Sequence, residues 1–406
     1  MKKVLSINSG SSSLKISLFA MPTEQRLAKI MVDYSNETNQ LVTITLPNHE
    51  LIAQHYTGKI TPVELALDLL KKYQIITTSQ EITAIGHRIV AGGELFQHST
   101  KITPEVIQKL ESINELAPLH NPANVAGILD AELILPNCPQ IAVFDTSFHT
   151  DLPPENFLYA LPLEYYRKYK VRKYGAHGTS HRFVAQQAAK MLKLPLNELK
   201  LITLHLGSGA SVTAIKNGKS LDTSMGFSPL TGLMMSTRCG DVDPSALVYL
   251  LKHHAFSNMD ECMKVLNQHS GLLGVSEVSR DMREIERESP RNPQAELAIK
   301  MFVKRICDYI GSYWLELGGA DALVFTGGIG ENDNHVRELI CKRLNCLGIK
   351  FESIQDQYHD SPFDFATTDS QARLLVIPTD EELMIARDAY ELTSTKQSFS
   401  KSAVNY

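Results

Sequence analysis

The residues best suited to chemistry in this chain lie in three turns rich in glycine or serine. The first follows the apolar run Val4-Leu5-Ser6-Ile7 and reads Asn8-Ser9-Gly10-Ser11-Ser12-Ser13, with Lys15 just beyond. A hairpin needs only two to five turn residues, and Asn-Gly or Asp-Gly serves it best. One glycine among serine hydroxyls instead exposes backbone N–H groups at short range, which suits a phosphate oxygen, and Lys15 adds a positive charge. A solvated N-terminal loop would explain this stretch equally well if it stood alone. The second turn, His205-Leu206-Gly207-Ser208-Gly209, repeats the plan of apolar strand, one polar residue, small turn and second apolar strand. Aligning Asn8 with His205 places Gly10 on Gly207, an offset of 197 in a chain of 406 residues. The third turn, Gly327-Gly328-Ile329-Gly330-Glu331-Asn332, lies between a short apolar run and a helical pattern. In that context a nucleotide meets backbone N–H groups. Three such turns point to phosphate chemistry.

The elements that must position them read as alternating strands and helices, hence an α/β protein. Strand patterns cover 4–7, 14–19, 41–46, 82–90, 141–144, 201–205, 211–215, 323–326 and 374–377. Helical patterns cover 62–73, 103–117, 121–133, 179–193, 243–254, 259–270, 295–317, 333–344 and 381–390. Thr61-Pro62, Thr103-Pro104 and Asn121-Pro122 are helix starts, and Asn217-Gly218 is a hairpin turn. The length predicts two domains, and the internal repeat makes them similar.

Composition narrows the partners. With 43% hydrophobic and 21% charged residues, the chain is globular and not disordered. A net charge of −5 without a long basic run argues against nucleic acid. No apolar stretch approaches the eighteen or so residues of a membrane span, and the N-terminal one is too short for a signal peptide. Six cysteines without a CxxC pair read as reduced thiols, which favours a cytoplasmic protein. His177 and His181 are four apart but lack the glutamate of a zinc protease motif, so no zinc site is expected.

Taken in order, NSGSSSLK, GHRIVAGG, LAPLHNP, VFDTSFH, YGAHGTSHRFV, HLGSGAS, DTSMGFSPLTGLMMSTRCGDVDP, FTGGIGEN and IPTDEELMIARD resemble the acetate kinase family. The resemblance runs from about Val4 to about Asp388 and falls within the actin/Hsp70/sugar-kinase superfamily. It implies duplicated ribonuclease H-like domains, 1–150 and 151–380, with an active-site cleft between them and the helix 381–406 packing back on the first. It also implies reversible, ATP-dependent phosphorylation of acetate to acetyl phosphate, with Mg2+ (or Mn2+) and a cytoplasmic homodimer. Propionate or butyrate kinase is the alternative within the class, and an Hsp70- or actin-type ATPase switch the alternative outside it.

Site residues follow by matching motif positions. Arg88 would hold the substrate carboxylate, while Arg238 and His177 would meet the transferring phosphoryl group. A carboxylate nucleophile is already ionised at neutral pH and needs no general base. Asp145 is therefore expected to work through magnesium or by orienting an arginine. Val90, Leu119 and Pro229, with His120 nearby, would shape the acyl pocket, where Ala176 stands in place of the Phe of some members. Asn8 and Glu381 match the metal site. Lys15, Ser12, His205, Leu206, Gly207, Ser208 and Gly209 match the phosphate site. Asp281, Met282 and Arg283, with Gly327, Gly328, Ile329, Gly330, Glu331 and Asn332, would surround the adenosine. Simpler structural roles compete with several of these: an ion pair of Arg238 with Asp241 or Asp243, a His177 satisfied by Thr179 or Ser180, and plain core for Val90. Ser208 stands where the family usually carries Asn, and Ser236 and Cys239 replace its usual small residues.

Overall fold

The computed structural model describes residues 1–9, 13–33, 40–56, 61–118, 120–353 and 362–394. The chain divides into two compact units, Met1–Ser147 with Asp380–Tyr406, and Phe148–Thr379.

The first unit is built on strands β1 (Lys2–Ser9), β2 (Ser13–Met21), β3 (Gln25–Asp33), β4 (Gln40–Thr45), β5 (Leu51–Tyr56), β6 (Ile82–Ile89), β7 (Thr100–Lys101) and β8 (Gln140–Phe144). They form one sheet in the order β5-β4-β3-β2-β1-β6-β8-β7. Side chains alternate across a strand. On one face Leu5, Ile7, Ile16 and Ile30 join a core with Val63, Leu67 and Leu70 of the helix Pro62–Lys72. On the other, Val4, Phe19 and Val143 pack against Ile385, Ala386 and Ala389 of the helix Glu381–Ser394. That helix approaches so closely that a Cβ on Gly86 would lie 2.5 Å from Ile385 Cγ2 and 2.9 Å from its carbonyl oxygen. Arg387 fixes it further through a two-pronged pair with Glu24 at 2.6 and 2.7 Å.

The second unit carries β9 (Lys200–Leu206), β10 (Ala210–Lys216), β11 (Lys219–Thr223), β12 (Ala322–Thr326), β13 (Phe363–Asp364) and β14 (Arg373–Val376), ordered β11-β10-β9-β12-β14-β13. Ile202, Leu204 and Leu206 face a core with Phe302, Ile306 and Ile310 of the long helix Pro293–Leu317. The alternate residues Thr203 and His205 face His181 and Ser180 of the helix Gly178–Leu192.

The two sheets share a plan. β3-β2-β1-β6-β8 and β11-β10-β9-β12-β14 are each joined by two antiparallel and then two parallel pairings. Asn8 and His205, aligned by the sequence repeat, are each the penultimate residue of the equivalent strand. The α/β duplication read from the sequence is thus present in the topology.

Differences lie at the margins. β3 and β5 fall where no strand was expected: apolar Leu27 and Met31 of β3 and Leu51 of β5 lie on the less buried faces, which breaks the alternation of apolar and polar residues. The helix expected over 103–117 is broken into Pro104–Ser112 and a short turn, Asn114–Leu116.

Candidate active site

In the first unit, the polar residues collect at the ends of three neighbouring strands. Antiparallel pairing sets Asn8 of β1 opposite Lys15 of β2, and parallel pairing sets Ile7 beside His87, next to Arg88. The turn between β1 and β2, with Gly10 and Ser12, lies outside the described residues, as does Leu119. Arg88 donates from Nε and Nη2 to Oδ2 of Asp145, at 2.9 and 2.6 Å, and from Nη1 to Asn8 Oδ1 at 3.0 Å. These take three of the five N–H groups of a guanidinium. Burial would lower the Arg88 pKa, but Asp145 and Glu381 outweigh it and raise it. Asp145, just past β8, is 1% exposed.

Glu381 opens the helix against this group. Its pKa is pushed up to about 7, chiefly by burial, which Arg88 opposes and the Asp145 and Glu382 charges reinforce. Carboxylates that outnumber the local positive charge would gain from a hard divalent cation. The donors here, an amide oxygen and a carboxylate, are the oxygen ligands that magnesium takes while keeping several waters. Among the described residues no group of three or more His, Cys, Asp or Glu could hold a metal, so a richer protein cage is absent.

Val90 is buried two residues beyond Arg88, its backbone N–H donating to Asn124 Oδ1 at 3.2 Å. His120 occupies the N-cap position of the helix Asn121–Ile134 without a capping bond from its side chain.

In the second unit the turn at 207–209 joins β9 to β10, closed by a bond from Gly207 N to Gly209 O of 3.1 Å. It borders a cavity of about 920 Å³ lined by Gly207, Ser208, Gly209, Asp281, Met282, Arg283, Gly328, Ile329 and Asn332, together with Ser236 and Arg238. A Cβ on Gly209 would sit 3.1 Å from His177 Nε2 and 3.5 Å from Arg238 Nη1, so both side chains point at one space in front of the turn.

The ion pair weighed for Arg238 is not found among the described residues, and His177 has a partner beyond the Thr179 and Ser180 that were weighed for it. Arg238 Nη1 donates to Pro229 O at 3.2 Å and approaches Met235 Sδ at 3.6 Å, and burial lowers the Arg238 pKa. Asp241 is occupied by Gly232 N and the Tyr309 hydroxyl, and Asp243 caps the helix Pro244–Lys252. His177 bonds through Nδ1 to Ser211 Oγ at 2.9 Å, while Ser180 serves His205 Nδ1 at 2.8 Å. Its backbone is left-handed, φ +57°, an uncommon state for a side chain with a Cβ. His149, which sequence reasoning did not single out, braces it by donating from Nε2 to the preceding Ala176 carbonyl at 3.0 Å.

The remaining nucleotide-site candidates divide. Asp281 caps the helix Met282–Glu288 and pairs with Arg283, whose Nη2 is 2.6 Å from Oδ2. Leu206 is buried in the core. Gly327 has φ +78°, and a Cβ there would lie 2.7 Å from Leu206 O, so only glycine fits. Glu331 turns back from the cavity. Its Oε1 accepts from Gly327 N at 2.8 Å, Thr379 N at 3.0 Å and Thr326 Oγ1 at 3.2 Å. Gly330 O accepts from the buried Arg337 at 2.7 Å.

A duplicated mixed-sheet fold with a glycine-turn cavity, faced by a histidine and an arginine, is an arrangement suited to a kinase of small molecules. Comparison with known proteins makes the class specific. The profile of the acetokinase family matches residues 3–387. The chain is 50% identical over 394 residues to the acetate kinase of Lactiplantibacillus plantarum, covering 96% of this chain and 98% of the relative. It is 46% identical over 406 residues to that of Fructilactobacillus sanfranciscensis, covering 97% and 100%. The crystal structure of Porphyromonas gingivalis acetate kinase superposes with a TM-score of 0.90 at 43% identity, covering 97% and 100%. A propionate kinase from Francisella tularensis superposes at 0.89 with 39% identity, covering 96% and 100%. The chain belongs to the acetokinase family and is an enzyme of the acetate kinase class.

Proposed function

We propose that the chain transfers the terminal phosphoryl group of ATP directly to a carboxylate oxygen of acetate, giving acetyl phosphate and ADP, and runs in reverse. The observation that carries this reading is the convergence of His177 Nε2 and Arg238 Nη1 on the space before Gly209, beside the cavity. Donors fixed in advance where charge develops are what phosphoryl transfer requires, since its catalysis is positioning and electrostatics. Arg88, aligned by Asp145 and Asn8, keeps two N–H groups to receive the acetate carboxylate. Asp145 thus acts by orienting an arginine, not as a base. Asn8 and Glu381 would hold magnesium, which when bound offsets phosphate charge; Lys15 supplies charge from the protein itself. The turn at 207–209 takes the phosphates, and the cavity walls around Asp281, Arg283 and Ile329 take the nucleoside.

On the motif match alone, Val90, Leu119 and Pro229 are the residues proposed to shape the acyl pocket. A second reading, propionate as the better substrate, is favoured by the small Ala176 and by the similarity to a propionate kinase. The experiment is ATP-dependent acyl phosphate formation, trapped with hydroxylamine, from acetate, propionate and butyrate. Acetate in first place is expected. Propionate in first place would install the second reading, and ATP hydrolysis indifferent to all three would remove both.

We further propose a cytoplasmic homodimer. All six cysteines are free thiols, and no helix among the described residues is long and apolar enough to cross a membrane. The helix Pro244–Lys252 buries none of its residues and exposes the consecutive apolar residues Val248, Tyr249 and Leu250 around its outer side, a surface suited to a second copy.

A further inference from the structure

His177 can donate toward the space before Gly209 only if its proton sits on Nε2. In a neutral imidazole that position is decided by what the other nitrogen faces. Here Nδ1 faces Ser211 Oγ at 2.9 Å. Ser211 Oγ is also 2.7 Å from His181 Nε2, and His181 Nδ1 is 2.7 Å from Thr203 Oγ1. Thr203, His181, Ser211 and His177 therefore form an unbroken file, and its first three members have no solvent exposure. Burial, with the His149 and His205 charges adding, drives the His181 pKa well below its ordinary value, so that ring is neutral and carries one N–H.

With one mobile proton on each member, the file can be ordered in two directions. In the first, Thr203 donates to His181 Nδ1, His181 Nε2–H to Ser211, and Ser211 to His177 Nδ1. His177 then holds its proton on Nε2. In the second, every donation is reversed and Thr203 must place its proton elsewhere. The acceptor the structure offers is the Thr213 carbonyl at 3.5 Å, too long for an effective O–H···O bond. A buried donor left without an acceptor is costly, so the first direction wins.

We propose that Ser211, itself ordered by His181 and Thr203, is a positioning residue that fixes His177 as its Nε2–H tautomer. In that tautomer the ring presents its Nε2–H to the transferring phosphoryl group. Only that last consequence rests on the acetate kinase reading.

The test is the nitrogen-15 spectrum of the full chain labelled at histidine, recorded without substrate, with His177 assigned by its loss in His177→Gln. His177 and His181 should both be protonated at Nε2 with an unprotonated Nδ1. A wild-type His177 protonated at Nδ1 overturns the proposal. Ser211→Ala should mix the His177 tautomers and lower kcat roughly 10- to 100-fold, the usual cost of losing an orienting partner. KM for acetate and ATP should move by less than about twofold, because a transition-state contact is what suffers. Ser211→Thr, which keeps the hydroxyl, should recover the wild-type tautomer and most of kcat. Wild-type kcat in Ser211→Ala overturns the proposal as well, and if that variant fails to fold the wild-type spectrum still decides. A wild type that does not phosphorylate acetate would strike the acetate kinase reading and leave the tautomer result standing.

Discussion

Arg88 and Arg238 bear the same charge but are held by different partners, and substitution should separate their work. Among the described residues Arg238 Nη1 is bonded to a carbonyl and approaches a thioether, and the proposed role for it is to meet charge that appears during transfer. Arg238→Ala should lower kcat by ~10³-fold, as loss of an arginine finger does, with a small change in KM for acetate. Arg88→Ala should raise KM for acetate as well as lower kcat. It also removes the guanidinium partner of the buried Asp145, so a loss of about 3 kcal/mol in urea unfolding should accompany it. In the proposed acyl pocket, Val90→Ala would open space beside the substrate methyl. One methylene is worth about 1–3 kcal/mol in such a pocket, so the acetate-to-propionate ratio of kcat/KM should fall by roughly ten- to two-hundred-fold. An unmoved ratio would show that Val90 does not set it. At this scale motif positions were legible, but partners were not. Ser211 closes the HLGSGAS motif, yet its bond to His177 joins residues 34 apart in sequence. Strand alternation held a usable signal, since Thr203 and His205 share a face of β9 and Ser211 pairs with His205 across the hairpin.

Strand β6 carries a second testable group beside Arg88. His87 is buried, 2.6 Å from Gln140 of β8, and burial brings its pKa down to about 4 against the bonding influence of Gln140. Between pH 6.5 and 4 the unfolded chain therefore binds more protons than the folded one, and stability falls as pH is lowered through that window. The full loss is roughly 3 kcal/mol, to be read from urea midpoints at each pH. His87→Gln should flatten that part of the profile; an unchanged slope would assign it to other groups. Long helices and apolar strands of this unit were legible because burial on one side imposes a clear period. β3 and β5 were not, since apolar Leu27 and Met31 lie on the less buried face of β3, and β5 has no buried residue and sets the apolar Leu51 outward. Glu331 shows the same limit at a turn. Sequence reading sends it toward the nucleotide, whereas backbone N–H groups of Gly327 and Thr379 draw it inward.

For the whole chain, duplication was the feature most visible beforehand, because a strand–turn–strand plan recurring at half-length requires two sheets of one order. The surface proposed for a second copy was less visible, since the helical pattern over 243–254 did not distinguish which of its apolar residues are exposed. Tyr249 is 63% exposed. A double variant, Val248→Glu with Tyr249→Glu, should convert a dimer to monomers in sedimentation without loss of the helix; a wild type that sediments as a monomer would remove this prediction. The central claim, direct transfer from ATP to acetate, is tested most directly by stereochemistry. A detour through a carboxylate such as Glu381, proposed above as a metal ligand, would require two displacements. ATP made chiral at the γ-phosphorus should yield acetyl phosphate of inverted configuration, the mark of one in-line displacement. Retained configuration would contradict the account.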